Sequence, residues 1–132
     1  MIPQFLVAGA LALVGAAIHG GAGEVVVLRP LFSGALPSSR FGGPSATRVM
    51  IRVTWHIVTL TFAAFGLALT SCGFLGPGDG CRGLGVVAAS SFTGFVALSA
   101  AVVLQPPRAA IRHRGPLVFL AVAALTWWGV AG

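Results

Sequence analysis

The stretch FLVAGALALVGAAIHGGAGEVVVL, Phe5–Leu28, decides the fold class. Across its 24 positions it carries one acidic residue and no Arg or Lys. As a helix rising 1.5 Å per residue it would be about 36 Å long, more than the roughly 30 Å of a bilayer's hydrocarbon core. Three similar stretches follow, at Val53–Thr70, Leu84–Leu104 and Pro116–Val130, the last short but sufficient if untilted. The expectation is an all-α fold, a four-transmembrane-helix bundle forming a single membrane domain over residues 1–132.

Composition leads to the same class. With 57% hydrophobic residues, 8% charged residues and a mean hydropathy of +0.99, the 132-residue chain has too little polar surface for a soluble domain. The net charge of +6 would point to nucleic acid in a soluble protein, but all eight basic residues are Arg and lie at helix ends and in the gaps. There they act as topology signals, and no nucleic-acid partner is expected. Arg29, Arg40, Arg48 and Arg52 gather in or beside the first gap, and Arg108, Arg112 and Arg114 in the third. In the second gap Arg82 and Asp79 roughly cancel. The positive-inside rule then puts the first and third gaps in the cytoplasm and both termini on the outer side. Arg in place of Lys, with abundant Ala and Gly, suggests a bacterial inner membrane. The first stretch lacks the basic n-region of a signal peptide and is expected to be a retained helix.

The gaps have their own chemistry. Pro30, Pro37 and Pro44 are expected to keep Pro30–Thr47 from continuing a helix. In the third gap Pro106 and Pro107 stop the third helix, and Gly115-Pro116 suits the start of the fourth. Cys72 and Cys81 bracket a Gly- and Pro-rich turn in the gap assigned to the outside, where an oxidising compartment permits a disulfide.

Small residues recur on two helices. Ala8, Ala12, Ala16 and Gly20 form one row; Gly85, Ala89, Thr93, Ala97 and Ala101 form another. Such rows let membrane helices approach closely, so a contact between the first and third helices is expected, within one chain or between copies. Trp127 and Trp128 read as interfacial belt residues.

Chemistry concentrates on the first two helices. Glu24 is the only acidic residue near a span, and an ionised carboxylate in hydrocarbon needs a partner or a function. Arg29, Arg52 and His56 are its candidate partners, Arg29 if the helix is locally broken at Gly20-Gly21-Ala22-Gly23. At 1.5 Å per residue, Glu24 and His56 lie about 6 Å inside the cytoplasmic boundary and His19 about 13 Å inside. Arg52, His56, Thr59, Ala63, Gly66 and Thr70 share one side of the second helix, the side expected to face the first. His19 and Glu24, five apart, lie about 140° from each other on an ideal helix, so they do not make a zinc-hydrolase face. No phosphate loop, nucleophile elbow or cysteine knuckle is present, and enzyme activity is not expected of this chain alone.

The run His19…Gly23-Glu24…Leu28-Arg29-Pro30, followed by Trp55-His56 and Thr59, resembles a group of small four-helix bacterial inner-membrane proteins of unknown function. The resemblance covers the first half of the chain, implies a four-helix membrane fold and singles out His19, Glu24, Arg29 and His56; it supplies no activity. Two functions stay open. One is an accessory or structural subunit of a larger membrane complex, or a homo-oligomer, with the bilayer and other membrane subunits as partners and no cofactor. The other is an independent protein that binds or transports a metal, haem or proton through the cluster of His19, Glu24, Arg29, Arg52 and His56.

Overall fold

The computed structural model describes residues 1–38, 40, 42–103 and 115–132. Among these residues the regular structure is helical, in four helices: α1 (Pro3–Ser33), α2 (Pro44–Leu75), α3 (Asp79–Val103) and α4 (Gly115–Ala131). The first three are long and apolar enough to cross a membrane, whereas Pro116–Ala131 is a shorter apolar helix. Leu104, Pro106, Pro107, Arg108, Arg112, His113 and Arg114, on which the reading of the third gap rests, lie outside the described residues.

Both helices beside the first gap are longer than their apolar runs. α1 passes Leu28 and Pro30 to end at Ser33, and α2 begins at Pro44 rather than at Val53. The expectation that the three prolines exclude helix from Pro30–Thr47 is therefore corrected. A proline in a first helical turn gives up an N–H that has no intrahelical partner there, and its fixed φ already suits the helix. Pro44 opens α2, and Pro30 sits in the first turn of the α-helical segment Arg29–Ser33. That segment follows a change in helix type. After α-helical Pro3–Ala17, two π-helical turns cover Ile18–Ala22 and Glu24–Leu28. Gly23 N–H donates to the Ile18 carbonyl and Arg29 N–H to the Glu24 carbonyl, each five residues back.

The chain divides into two compact units. The first comprises Met1–Leu13 with Ala64–Gly132. Its core holds Phe5, Ala8, Ala12, Leu69, Ala88, Ala89, Phe92, Val122, Ala123 and Thr126. Thr126 is fully buried and donates its hydroxyl to the Val122 carbonyl at 2.7 Å, so its polarity is satisfied within its own helix. Phe92 sits among Phe65, Phe95 and Phe119, with ring centroids 5.8–6.3 Å apart. Phe5 occupies the space that a side chain at Gly85 or Gly129 would need. α1 and α2 meet backbone to backbone: a Cβ on Gly66 would come 3.1 Å from the Gly9 carbonyl oxygen, and one on Gly9 would come 2.8 Å from the Gly66 carbonyl oxygen.

The row expected on the third helix does not stay together. Gly85 and Ala89 are buried, while Thr93, Ala97 and Ala101 are exposed. At 100° per residue a four-residue step overshoots a full turn by about 40°, so four steps carry the row about 160° around the helix. The buried side alternates its spacing instead, through Gly85, Ala88, Ala89 and Phe92. Between α2 and α3, Gly76 adopts φ +90°, a conformation that favours glycine, and its N–H bonds the Cys72 carbonyl at 3.0 Å. The chain doubles back there, and Cys72 and Cys81 form a disulfide with Cα atoms 5.4 Å apart.

The second unit, Val14–Ala63, joins the later part of α1 to the earlier part of α2. Ala16, Leu28 and Phe62 are its buried apolar residues. Gly20 leaves room for Thr59, and Gly23 for the Trp55 indole. These two glycines admit larger polar and aromatic side chains, and the candidate site is built on them.

Candidate functional site

The π-helical turns aim the site. Residues five apart, which an α-helix turns about 140° away from each other, are brought one above the other by i→i+5 bonding. His19 and Glu24 therefore both reach α2, which corrects the inference from ideal α-helical geometry that they point apart.

His19 is held on three sides. Its imidazole stacks on the Trp55 indole with centroids 4.2 Å apart and planes 14° apart, and meets the Phe62 ring edge-on at 5.8 Å. Trp55 Nε1 donates to the His19 carbonyl at 2.9 Å, using a lone pair that helix bonding leaves over. Thr59 Oγ1 lies 2.9 Å from His19 Nδ1, within hydrogen-bond reach, and 3.2 Å from the Trp55 carbonyl. The same histidine borders an open apolar groove of about 440 Å³ with Met50, Thr54, Trp55 and Val58.

About one turn onward, Glu24 meets two groups of α2. Arg52 Nη2 donates to Glu24 Oε1 at 2.8 Å, and His56 Nε2 lies 3.5 Å from Glu24 Oε2. The first is a charge-assisted hydrogen bond; the second is at ion-pair range but too long to satisfy Oε2, which is buried without a hydrogen bond among the described residues. The Arg52 guanidinium also lies over the Phe32 ring, 5.1 Å from its centroid, and Arg48 reaches the same ring at 5.6 Å. Arg48 Nη2 donates to the Phe32 carbonyl at 3.1 Å.

Of the candidates read from the sequence, Glu24, Arg52 and His56 meet in one network, and His19 takes different partners one turn away. Arg29 is exposed and makes no ion pair among the described residues. Ala8, Ala12 and Ala16 are buried along α1, and Gly20 faces Thr59. The roles of Trp55 and Phe32 are additions from the structure. A signal for Trp55 existed in the four-residue spacing that puts Trp55 and Thr59 on one side of α2, opposite the small residues Gly20 and Gly23. Phe32 lay in the gap that the prolines were expected to keep out of helix, so its partners on α2 could not be read from the spacing. Trp127 donates its indole N–H to Thr93 Oγ1 at 3.2 Å, giving that exposed threonine a partner.

Among the described residues, no three of His, Cys, Asp and Glu converge as a metal would require. Searches of family models, of curated proteins and of solved structures find no match for the chain.

Proposed function

We propose that this is a four-span bacterial inner-membrane protein, with both termini on the periplasmic side, that serves as an accessory or structural subunit of a larger membrane assembly. The observation that carries the subunit reading is an exposed strip of small residues on α3: Ser90, Gly94, Ala97 and Ala101, at spacings of four, three and four. That alternation keeps them on one side of the helix, and a strip of this kind lets a second helix approach closely. The polar cluster supports the same reading, because its side chains engage one another across α1 and α2 and so hold the two helices together. The arginine asymmetry supports the orientation, and the apolar length of α4, about 25 Å at 1.5 Å per residue, is enough for an untilted crossing of a thin bilayer.

The test is native sizing of the protein in mild detergent, beside reporter fusions at Arg40 and after Gly132. The expected result is a larger complex that Gly94→Leu or Ala97→Leu disperses without unfolding the chain, with cytoplasmic activity only at Arg40. A monomer indifferent to both substitutions would overturn the subunit role. Cytoplasmic activity at the C-terminal fusion would overturn the orientation.

One observation favours the second reading, a protein that handles a metal, haem or proton: Glu24 Oε2 is buried with no hydrogen bond from the described residues. On that reading Glu24→Gln leaves the fold intact and abolishes binding or flux, and the purified protein carries a haem Soret band or a stoichiometric metal.

A further inference from the structure

The arginines of the Val14–Ala63 unit outnumber its carboxylates four to one, and their placement is specific. Arg48 and Arg52, four residues apart on α2, lie on one side of the helix and share the Phe32 ring. Glu24 compensates Arg52 alone. Arg48 is bonded to a neutral carbonyl and makes no ion pair among the described residues. Each guanidinium offers five N–H donors, of which these contacts occupy few. Next to Phe32 and Arg48 in the chain, large apolar side chains face outward: Leu31 is 45% exposed and Val49 60%. A fixed cation with spare donors, set among outward-facing aliphatic groups, is complementary to a molecule that joins an anion to hydrocarbon.

We propose that Arg48 and Arg52, braced on Phe32, form a binding site for the headgroup phosphate of an acidic phospholipid, whose acyl chains cover Leu31 and Val49. The phosphate takes the planar forks of the two guanidiniums, as Arg–phosphate pairs do, and supplies a negative charge to Arg48. A zwitterionic headgroup brings its own ammonium to the same place and gains less. This inference rests on the membrane-spanning part of the proposed function and not on the subunit role.

The experiment reconstitutes the full chain into nanodiscs of phosphatidylcholine alone or with one-third phosphatidylglycerol. It then measures retained lipid by native mass spectrometry after release. Phosphatidylglycerol is expected to be retained in excess of its bulk share, with a preference that weakens as salt rises. Arg48→Gln should reduce that preference about fivefold, the fold-change for roughly one arginine–lipid contact. Arg82→Gln, in the other unit, should leave it unchanged, and millimolar inorganic phosphate should not displace the lipid. Folding of Arg48→Gln is checked by its unfolding temperature in phosphatidylcholine. If that variant does not fold, Arg48→Lys, which keeps the charge and loses the fork, should still show a reduced preference. Equal retention of the two lipids, an undiminished preference in the folded Arg48 variant, or displacement by free phosphate would overturn the site. Failure to enter phosphatidylcholine nanodiscs at all would overturn the membrane reading and this site with it.

Discussion

The two units solve the same problem, holding α1 to α2, by opposite means. In the unit of Met1–Leu13 with Ala64–Gly132, the two backbones touch through Gly9 and Gly66, Phe5 fills the hollow over Gly85 and Gly129, and a disulfide closes the turn. None of these contacts involves a charge. In the unit of Val14–Ala63, the π-helical turns and Gly20 and Gly23 open room for side chains, and His19, Trp55, Thr59, Glu24, Arg52 and His56 fill it with directed contacts. Close backbone packing tolerates almost no added volume, whereas a directed polar contact is sensitive to removal of one partner. The two units should therefore fail under different substitutions.

The largest effect is expected where a backbone would be struck. Gly66→Leu has no room beside Leu13 and the Gly9 carbonyl, and should cost about 3 kcal/mol or more, at or beyond the upper end of ordinary overpacking. Gly21→Leu, in the other unit, meets nothing within 4 Å and should be nearly neutral. Thermal unfolding in detergent of the two variants separates them; equal losses would erase the distinction between the units.

Next comes Glu24. Removing one partner of a fully buried pair typically costs about 3–5 kcal/mol, but Arg52 is half exposed, so Glu24→Leu should cost about 2 kcal/mol. Glu24→Gln should cost less, since its amide oxygen still accepts from Arg52. A Glu24→Leu protein as stable as wild type would mean that the carboxylate serves only as a solvated surface group.

Opening the disulfide tests the closely packed unit from another side. For a loop of this length the chain-entropy relation gives about 2–3 kcal/mol, so Cys72→Ser with Cys81→Ser should lower the unfolding temperature measurably. Hydrogen exchange should rise first around Leu75–Asp79. Protection lost instead around His19 would contradict the division into units.

The smallest effect is expected at Thr59. Thr59→Val keeps the shape and removes both hydroxyl contacts, and hydrogen bonds between membrane helices average about 0.6 kcal/mol. The sharper readout is Trp55 emission in a protein that also carries Trp127→Phe and Trp128→Phe. Loss of the Thr59 anchor should loosen the imidazole stacked on the indole and shift the spectrum, and an unchanged spectrum would show that stacking alone holds His19.

Helix number was legible because apolar run length against bilayer thickness is a one-dimensional property of the chain. The cysteine pairing was legible for a related reason: the eight residues between the cysteines, four of them Gly and one Pro, leave few ways for the chain to turn. Helix ends near Pro30 and Pro44 were not, because proline's effect depends on whether its position is interior or first-turn, which the apolar pattern does not reveal. The row from Gly85 to Ala101 is buried at one end and exposed at the other for a geometric reason, the drift of a strict four-residue spacing around a helix of 3.6 residues per turn.

At the candidate site the division is finer. The isolation of Glu24 in an apolar run and the excess of arginines were visible in the residues themselves, because the cost of an unpaired carboxylate in hydrocarbon does not depend on fold. So, within limits, was the side of α2 that bears Arg52, His56 and Thr59. The choice of Arg52 and His56 over Arg29, the stacking of His19 on Trp55 and the convergence of Arg48 and Arg52 on Phe32 were decided only by tertiary structure. They follow from two π-helical turns, and a π-turn survives only where packing from another helix compensates its poorer local geometry. No local pattern in the chain reports that compensation.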